Sequence, residues 1–122
     1  FRASWAKMVA LLGKMNAAGV PIVAGTDGNG IEIVRELEIY REAGMSAGEA
    51  LYAATLAPAK LVGADKTTGS IEAGKVADLV LVEGDPSTSI GALRQTRVVM
   101  MGGKLMDADA LRAAAGFAGR PK

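Results

Sequence analysis

The apolar positions at the start of the chain follow a helical period. Trp5, Met8, Val9, Leu12 and Met15 fall at spacings of 3, 1, 3 and 3, one face of a helix running to about Ala18. Gly19 stands where a C-cap belongs, and Pro21 discourages continuation. The period then vanishes. Val20, Pro21, Ile22, Val23 and Ala24 form an unbroken apolar run, the pattern of a strand covered on both faces, as in a parallel sheet. A short loop, Gly28-Asn29-Gly30, leads to a second helix over about Ile31 to Ala43. Its apolar face is Ile33, Val34, Leu37 and Tyr40. Its charged residues, Glu32, Arg35, Glu36, Glu38, Arg41 and Glu42, read as a solvated face, with Glu32/Arg35 and Glu38/Arg41 as i,i+3 pairs.

Ser46-Ala47-Gly48-Glu49 fits a capping box and opens a third helix, with Ala47, Ala50, Leu51 and Ala54 as a small-residue face. Pro58 is expected to break that helix, with a helical turn resuming to Val62. From about Ala64 the period shortens. Gly69 to Glu72 reads as extended, Ala73-Gly74-Lys75 as a turn, and Ala77 to Val82 as a strand. Arg97 to Met101 and Lys104 to Met106 read as two strands joined by a Gly102-Gly103 hairpin. Asp107 is placed to cap a terminal helix through Ala115, and Gly119 to Lys122 are expected to fray. The chain therefore divides into residues 1–63, helical with one buried strand, residues 64–106, mostly short strands, and residues 107–122, a terminal helix and tail. One buried strand cannot make a parallel sheet. Buried, unpaired backbone groups cost about 1–3 kcal/mol each. Residues 1–63 thus need neighbours from an upstream segment or another chain, and the first residue, Phe1, fits the reading of a C-terminal piece of a longer protein.

Composition narrows the chemistry. Half of the 122 residues are hydrophobic, enough for a core, and 14 basic against 13 acidic residues leave a formal charge of +1. That balance gives no electrostatic reason to expect nucleic acid or an anionic membrane as partner. No apolar stretch approaches the roughly 20 residues that span a bilayer. There is no cysteine, so a disulfide scaffold and a thiolate metal site are excluded; the compartment is left open, with the cytoplasm favoured. There is no histidine either. The candidate for chemistry is Asp27, which follows the apolar run between Gly25-Thr26 and Gly28. In parallel α/β proteins the reacting groups sit just beyond the carboxyl ends of such strands. A turn aspartate bonded to its own backbone is the structural alternative. Thr26 is read as a strand-end residue, Asn29 as turn chemistry, and Asp78 as bonding the Ala73-Gly74-Lys75 turn. Lys75 is read as a turn residue and the six methionines as gap fillers.

The order AGTDG, RELEIYREAGMS, EALYAATLAPAKLVG, GSIEAGKVADLVLVEGDP and a Gly-Gly hairpin resembles the C-terminal part of the metal-dependent amidohydrolase superfamily, in its imidazolonepropionase-like and Xaa-Pro dipeptidase-like branch. The match covers about residues 1–110, and GSIEAGKVADLVLV is its most specific segment. The resemblance implies an α/β fold: the C-terminal portion of a (β/α)8 barrel plus the C-terminal part of a small composite β-sandwich domain. It makes residues 20–26 the last barrel strand. It implies that Asp27 contacts a divalent metal, usually zinc, and acts as general base on the water the metal binds. The activity implied is hydrolysis of C–N bonds in a small amide or dipeptide-like substrate. The chain alone is expected to be inactive, because the HxH pair and the two further histidines of the earlier barrel strands have no counterpart in it. An N-terminal barrel segment is then a required partner, and a homo-oligomer is compatible. The loop after Asp27 is also shorter than in many relatives. Two other readings stand beside this one: a non-catalytic structural or regulatory relative on the same fold, and a small independent binding module.

Overall fold

In the computed structural model the described residues are 2–28 and 32–121. Four helices come first: α1 (Arg2–Ala17), α2 (Ile33–Glu42), α3 (Ala47–Ala54) and α4 (Leu56–Leu61). Then follow β1 (Leu79–Val82), a 3₁₀ turn (Ile90–Gln95), β2 (Thr96–Met101), β3 (Lys104–Asp107) and α5 (Ala108–Ala114). The arrangement mixes helix and strand, with the helices and the sheet in separate stretches of sequence. No described helix is long and apolar enough to cross a membrane.

The core lies under α2 and α3. Leu37, Tyr40, Met45, Ala47, Ala50, Ala53 and Ile90 are buried together, with Leu12, Ile22, Ala24, Val34 and Leu93 packed around them. Leu37 is 2% exposed, and full burial of such a side chain contributes about 1.5–3 kcal/mol. The alanines of α3 let α2 lie close above it, the use expected of a small-residue face. Gly13 does the same for α1: a Cβ there would stand 2.4 Å from the carbonyl oxygen of Ala43, so the two backbones meet where only glycine fits. The rest of the α1 face is not covered in the same way. Leu12 packs on the core, whereas Trp5, Met8 and Met15 are exposed.

The capping box is present as expected. Glu49 N–H donates to Ser46 Oγ at 3.1 Å and Ser46 N–H to Glu49 Oε2 at 2.6 Å. The break after α3 differs. It falls at Thr55, whose backbone (φ −129°, ψ −86°) leaves the helical region, while Pro58 lies inside α4. Proline is tolerated in a first turn, where its missing N–H would have no helical acceptor. The Gly69–Glu72 stretch forms no strand and lies beside α4 as a turn-rich connection.

The sheet is an antiparallel meander in the order β1-β2-β3. β1 pairs with β2 from Leu79↔Met100 to Val82↔Thr96, with a register shift between Leu81 and Val82. β2 pairs with β3 from Val98↔Asp107 to Met101↔Lys104. Gly102 (φ 56°) and Gly103 (φ 80°) form the hairpin, in which both central residues need positive φ. Asp107 caps α5 through Ala110 N–H at 2.7 Å. Met100 is partly buried and Met101 exposed. Beyond α5, Arg120 pairs with Asp109 and Gln95 Nε2 donates to the Pro121 carbonyl at 3.4 Å. These bonds tie down a tail that composition alone marks as frayed.

Candidate functional site

Asp27 ends the extended stretch 20–26. The strand expected there is not formed among the described residues: the stretch lies between α1 and α2 without strand assignment and pairs with none of β1–β3. Its Ala24 N–H instead donates to the Ala53 carbonyl at 2.8 Å, which lays the segment along the C-terminal end of α3. Ile22 and Ala24 turn toward the core, while Val20 is exposed. The apolar run is thus half-buried rather than covered on both faces. Without a flanking ladder, only the helical side supplies cover.

Past Ala24 the backbone is held by α2. Gly25 N–H donates to Glu36 Oε1 at 3.1 Å. Tyr40 Oη donates to the same oxygen at 2.5 Å and lies 3.2 Å from the Val23 carbonyl. Burial, and then the Glu36 carboxylate, push the Tyr40 hydroxyl well above the usual phenol range, so it stays protonated and remains a donor. Glu36 therefore does not belong to a solvated face, as its place in a charged run suggests. It turns inward beneath the strand end. Its Oε2 is buried and has no hydrogen-bond partner among the described residues.

Asp27 itself is exposed and takes φ 52°, the one non-glycine residue with positive φ among those described. Aspartate tolerates this left-handed conformation better than most residues. Thr26 accepts the Gly28 N–H on its Oγ1 at 3.3 Å, a bond within the turn. Asn29 lies outside the described residues. Asp27 lines neither of two cavities, of about 430 and 370 Å³, that sit between α1 and α2 and between α2 and the C-terminal tail.

The remaining candidates resolve as structural. Asp78 bonds the hairpin rather than the Ala73-Gly74-Lys75 turn: its Oδ1 accepts the Gly102 N–H at 2.6 Å. Lys75 Nζ bonds Ser70 and Glu72, within its own turn. Glu38 does not pair with Arg41. It pairs with Arg35 and, across 56 positions of sequence, with Arg94, joining α2 to the 3₁₀ turn. Arg94, and to a lesser degree Arg35, hold the Glu38 carboxyl below the usual carboxylate range.

Among the described residues no group of three or more His, Cys, Asp or Glu could hold a metal ion. Zinc takes four ligands from nitrogen, sulfur or oxygen. Asp27, an exposed hard-oxygen donor at the end of an extended segment, fits one position of such a shell, and the other ligands would have to come from other residues.

Helices stacked on one face of an extended segment, followed by an antiparallel meander, correspond to part of a larger α/β enzyme fold, in keeping with the C-terminal portion of a (β/α)8 fold. The chain belongs to the amidohydrolase family, whose model matches residues 4–106. It is similar to a Xaa-Pro dipeptidase solved with methionine bound in its active site: 36% identity, TM-score 0.77, 82% of this chain and 25% of that one. It is also similar to molinate hydrolase, at 27% identity and TM-score 0.76 over 84% of this chain and 27% of that one. A 5-methylthioadenosine/S-adenosylhomocysteine deaminase of Moorella thermoacetica is 38% identical over 88 residues, 62% of this chain and 21% of that protein. The chain thus spans about a quarter of the length of these relatives.

Proposed function

We propose that this chain contributes the last barrel strand and part of the sandwich domain to a metal-dependent hydrolase of C–N bonds, with Asp27 as metal contact and general base. Residues 1–63 would supply the strand and its helices, and residues 64–106 the sandwich portion. The observation that carries the reading is the carboxylate of Asp27 at the carboxyl end of the extended segment, inside the residues that match the amidohydrolase family. The names of the similar proteins, a dipeptidase, a hydrolase and a deaminase, support hydrolytic chemistry and leave the substrate as a small amide or dipeptide-like molecule.

Asp27 would hold a divalent metal, zinc by the family resemblance, and such an ion supplies a water of pKa about 7 and polarises a carbonyl. The Asp27 carboxylate accepts the proton of the attacking water as the new C–O bond forms. It then delivers that proton to the leaving nitrogen as the C–N bond breaks, so one oxygen pair serves as base and then as acid. Proton transfer of this kind contributes about 10²–10⁴-fold. The Thr26 hydroxyl and the Glu36 carboxylate hold the backbone on which Asp27 stands.

Metal dependence in the full-length protein tests the reading. Chelation is expected to abolish hydrolysis of dipeptides and cyclic amides, and zinc to restore it. Hydrolysis that persists after complete metal removal would contradict the reading, as would a zinc-loaded protein that turns over no C–N substrate.

A further inference from the structure

Glu36 is costly where it stands. It is a carboxylate turned under the chain, one oxygen buried without a partner among the described residues, on a helix whose Arg35, Glu38 and Glu42 are held in ion pairs. An apolar residue would fill the place without that penalty. What the carboxylate does there is specific. Oε1 takes the backbone N–H of Gly25, two residues before Asp27, and the hydroxyl of Tyr40. Tyr40, from one turn further along α2, is buried in the core and reaches the Val23 carbonyl as well. The two side chains grip the segment on both sides of Ala24. The next residues are Thr26, whose hydroxyl closes the turn, and Asp27 in its left-handed conformation. Nothing else among the described residues hydrogen-bonds the segment between Gly25 and Asp27 from outside the turn.

We infer that Glu36, braced by Tyr40, is a positioning residue that fixes the strand end carrying Asp27 and thereby sets the place of the catalytic carboxylate. The inference rests on the proposed hydrolytic role of Asp27. A general base works only within hydrogen-bond reach of its proton, and displacement by about 1 Å can cost about 10²-fold in rate. Glutamate at this position is long enough to reach from the first turn of α2 to Gly25. Glutamine keeps the acceptor oxygen and the length, while alanine removes both.

Three variants of the full-length, zinc-loaded protein test this: Glu36→Ala, Glu36→Gln and Tyr40→Phe. Two readouts are taken, steady-state hydrolysis of a dipeptide panel and amide hydrogen exchange of the peptide spanning residues 23–27. Glu36→Ala is expected to lower kcat at least 30-fold with KM within threefold, and to speed exchange at Gly25 at least tenfold. Glu36→Gln is expected to stay within threefold of the parent in both, and Tyr40→Phe to fall between. Should Glu36→Ala fail to fold, Tyr40→Phe must still show raised exchange and a fall confined to kcat. Unchanged exchange at Gly25 in Glu36→Ala and Tyr40→Phe would overturn the inference, as would a Glu36→Gln variant as impaired as Glu36→Ala. If the parent hydrolyses nothing, the functional reading of Asp27 fails, and exchange alone decides whether the grip on Gly25 exists.

Discussion

In the helical part, side chains are buried while a stretch of backbone runs without a ladder; in the sheet, the backbone is paired while apolar side chains face outward. Leu37, Tyr40, Met45 and the alanines of α3 are packed away, yet residues 20–26 pair with no described strand. β1, β2 and β3 satisfy one another, yet Val80, Leu81, Met101 and Leu105 are exposed and none of the sheet residues Leu79–Val82 or Thr96–Met101 is buried. What each part leaves open differs in kind. Unladdered backbone is completed by strands, as in a barrel wall. Outward apolar faces on a paired sheet are completed by another layer, as in a sandwich.

The contrast can be broken by paired truncations. Leu37→Ala is expected to destabilise by about 2–5 kcal/mol, because a core site in α2 loses both transfer energy and packing. Val80→Ala, on the outward face of β1, is expected to change stability by less than about 0.5 kcal/mol in this chain. Denaturant melts of the two variants check this. Equal losses would mean that the sheet face is covered in solution.

A smaller effect concerns the join between the two parts. Glu38 on α2 meets Arg94 of the 3₁₀ turn through two contacts, with side chains 27% and 20% exposed. A double-mutant cycle with Glu38→Gln and Arg94→Met is expected to give a coupling of about 1 kcal/mol. A coupling near zero would mean that the helices and the sheet are joined by apolar contact alone.

The smallest effect lies at the tail. Arg120, and then Arg112, pull the Asp109 carboxyl down to about 2. Because the folded value is depressed, the latch contributes above the ordinary carboxylate pKa of about 3.9 and is lost as pH falls toward about 2. NMR relaxation of residues 117–121 is expected to show the tail ordered at pH 5 and mobile at pH 2. A tail equally ordered at both would assign its docking to Gln95 and to packing instead.

Features whose cause is local are legible in the sequence itself. The Ser46/Glu49 capping box, the Gly102-Gly103 hairpin and the Asp107 cap each need only residues a few positions apart, and each stands as expected. Features set by distant partners are not legible in this way. The Glu38–Arg94 pair spans 56 positions, and nothing in the alternation of charges on α2 marks Glu38 as its partner. Glu36 sits in a run that reads as solvated, and only the approach of residues 23–25 to α2 turns it inward. Asp78 finds its partner in the hairpin, 24 positions away, rather than in the nearer turn. The 3₁₀ turn at Ile90–Gln95 carries no periodic pattern, although it delivers Ile90 to the core. Residue type alone puts the helix break at Pro58, whereas the backbone departs at Thr55. At the candidate site, the carboxylate stands out in the sequence because it punctuates an apolar run. Glu36 and Tyr40, which hold its backbone, do not, because they sit in the middle of α2 within an ordinary helical pattern.

One substitution addresses the proposed proton transfer by Asp27 without disturbing the fold. Asp27→Asn, at an exposed position where asparagine also accepts positive φ, should leave the melting temperature within a degree or two. In the full-length, metal-loaded protein kcat is expected to fall by about 10²–10⁴-fold at unchanged metal content. A variant that melts like the parent, holds its metal and hydrolyses its substrate at the parental rate would contradict it.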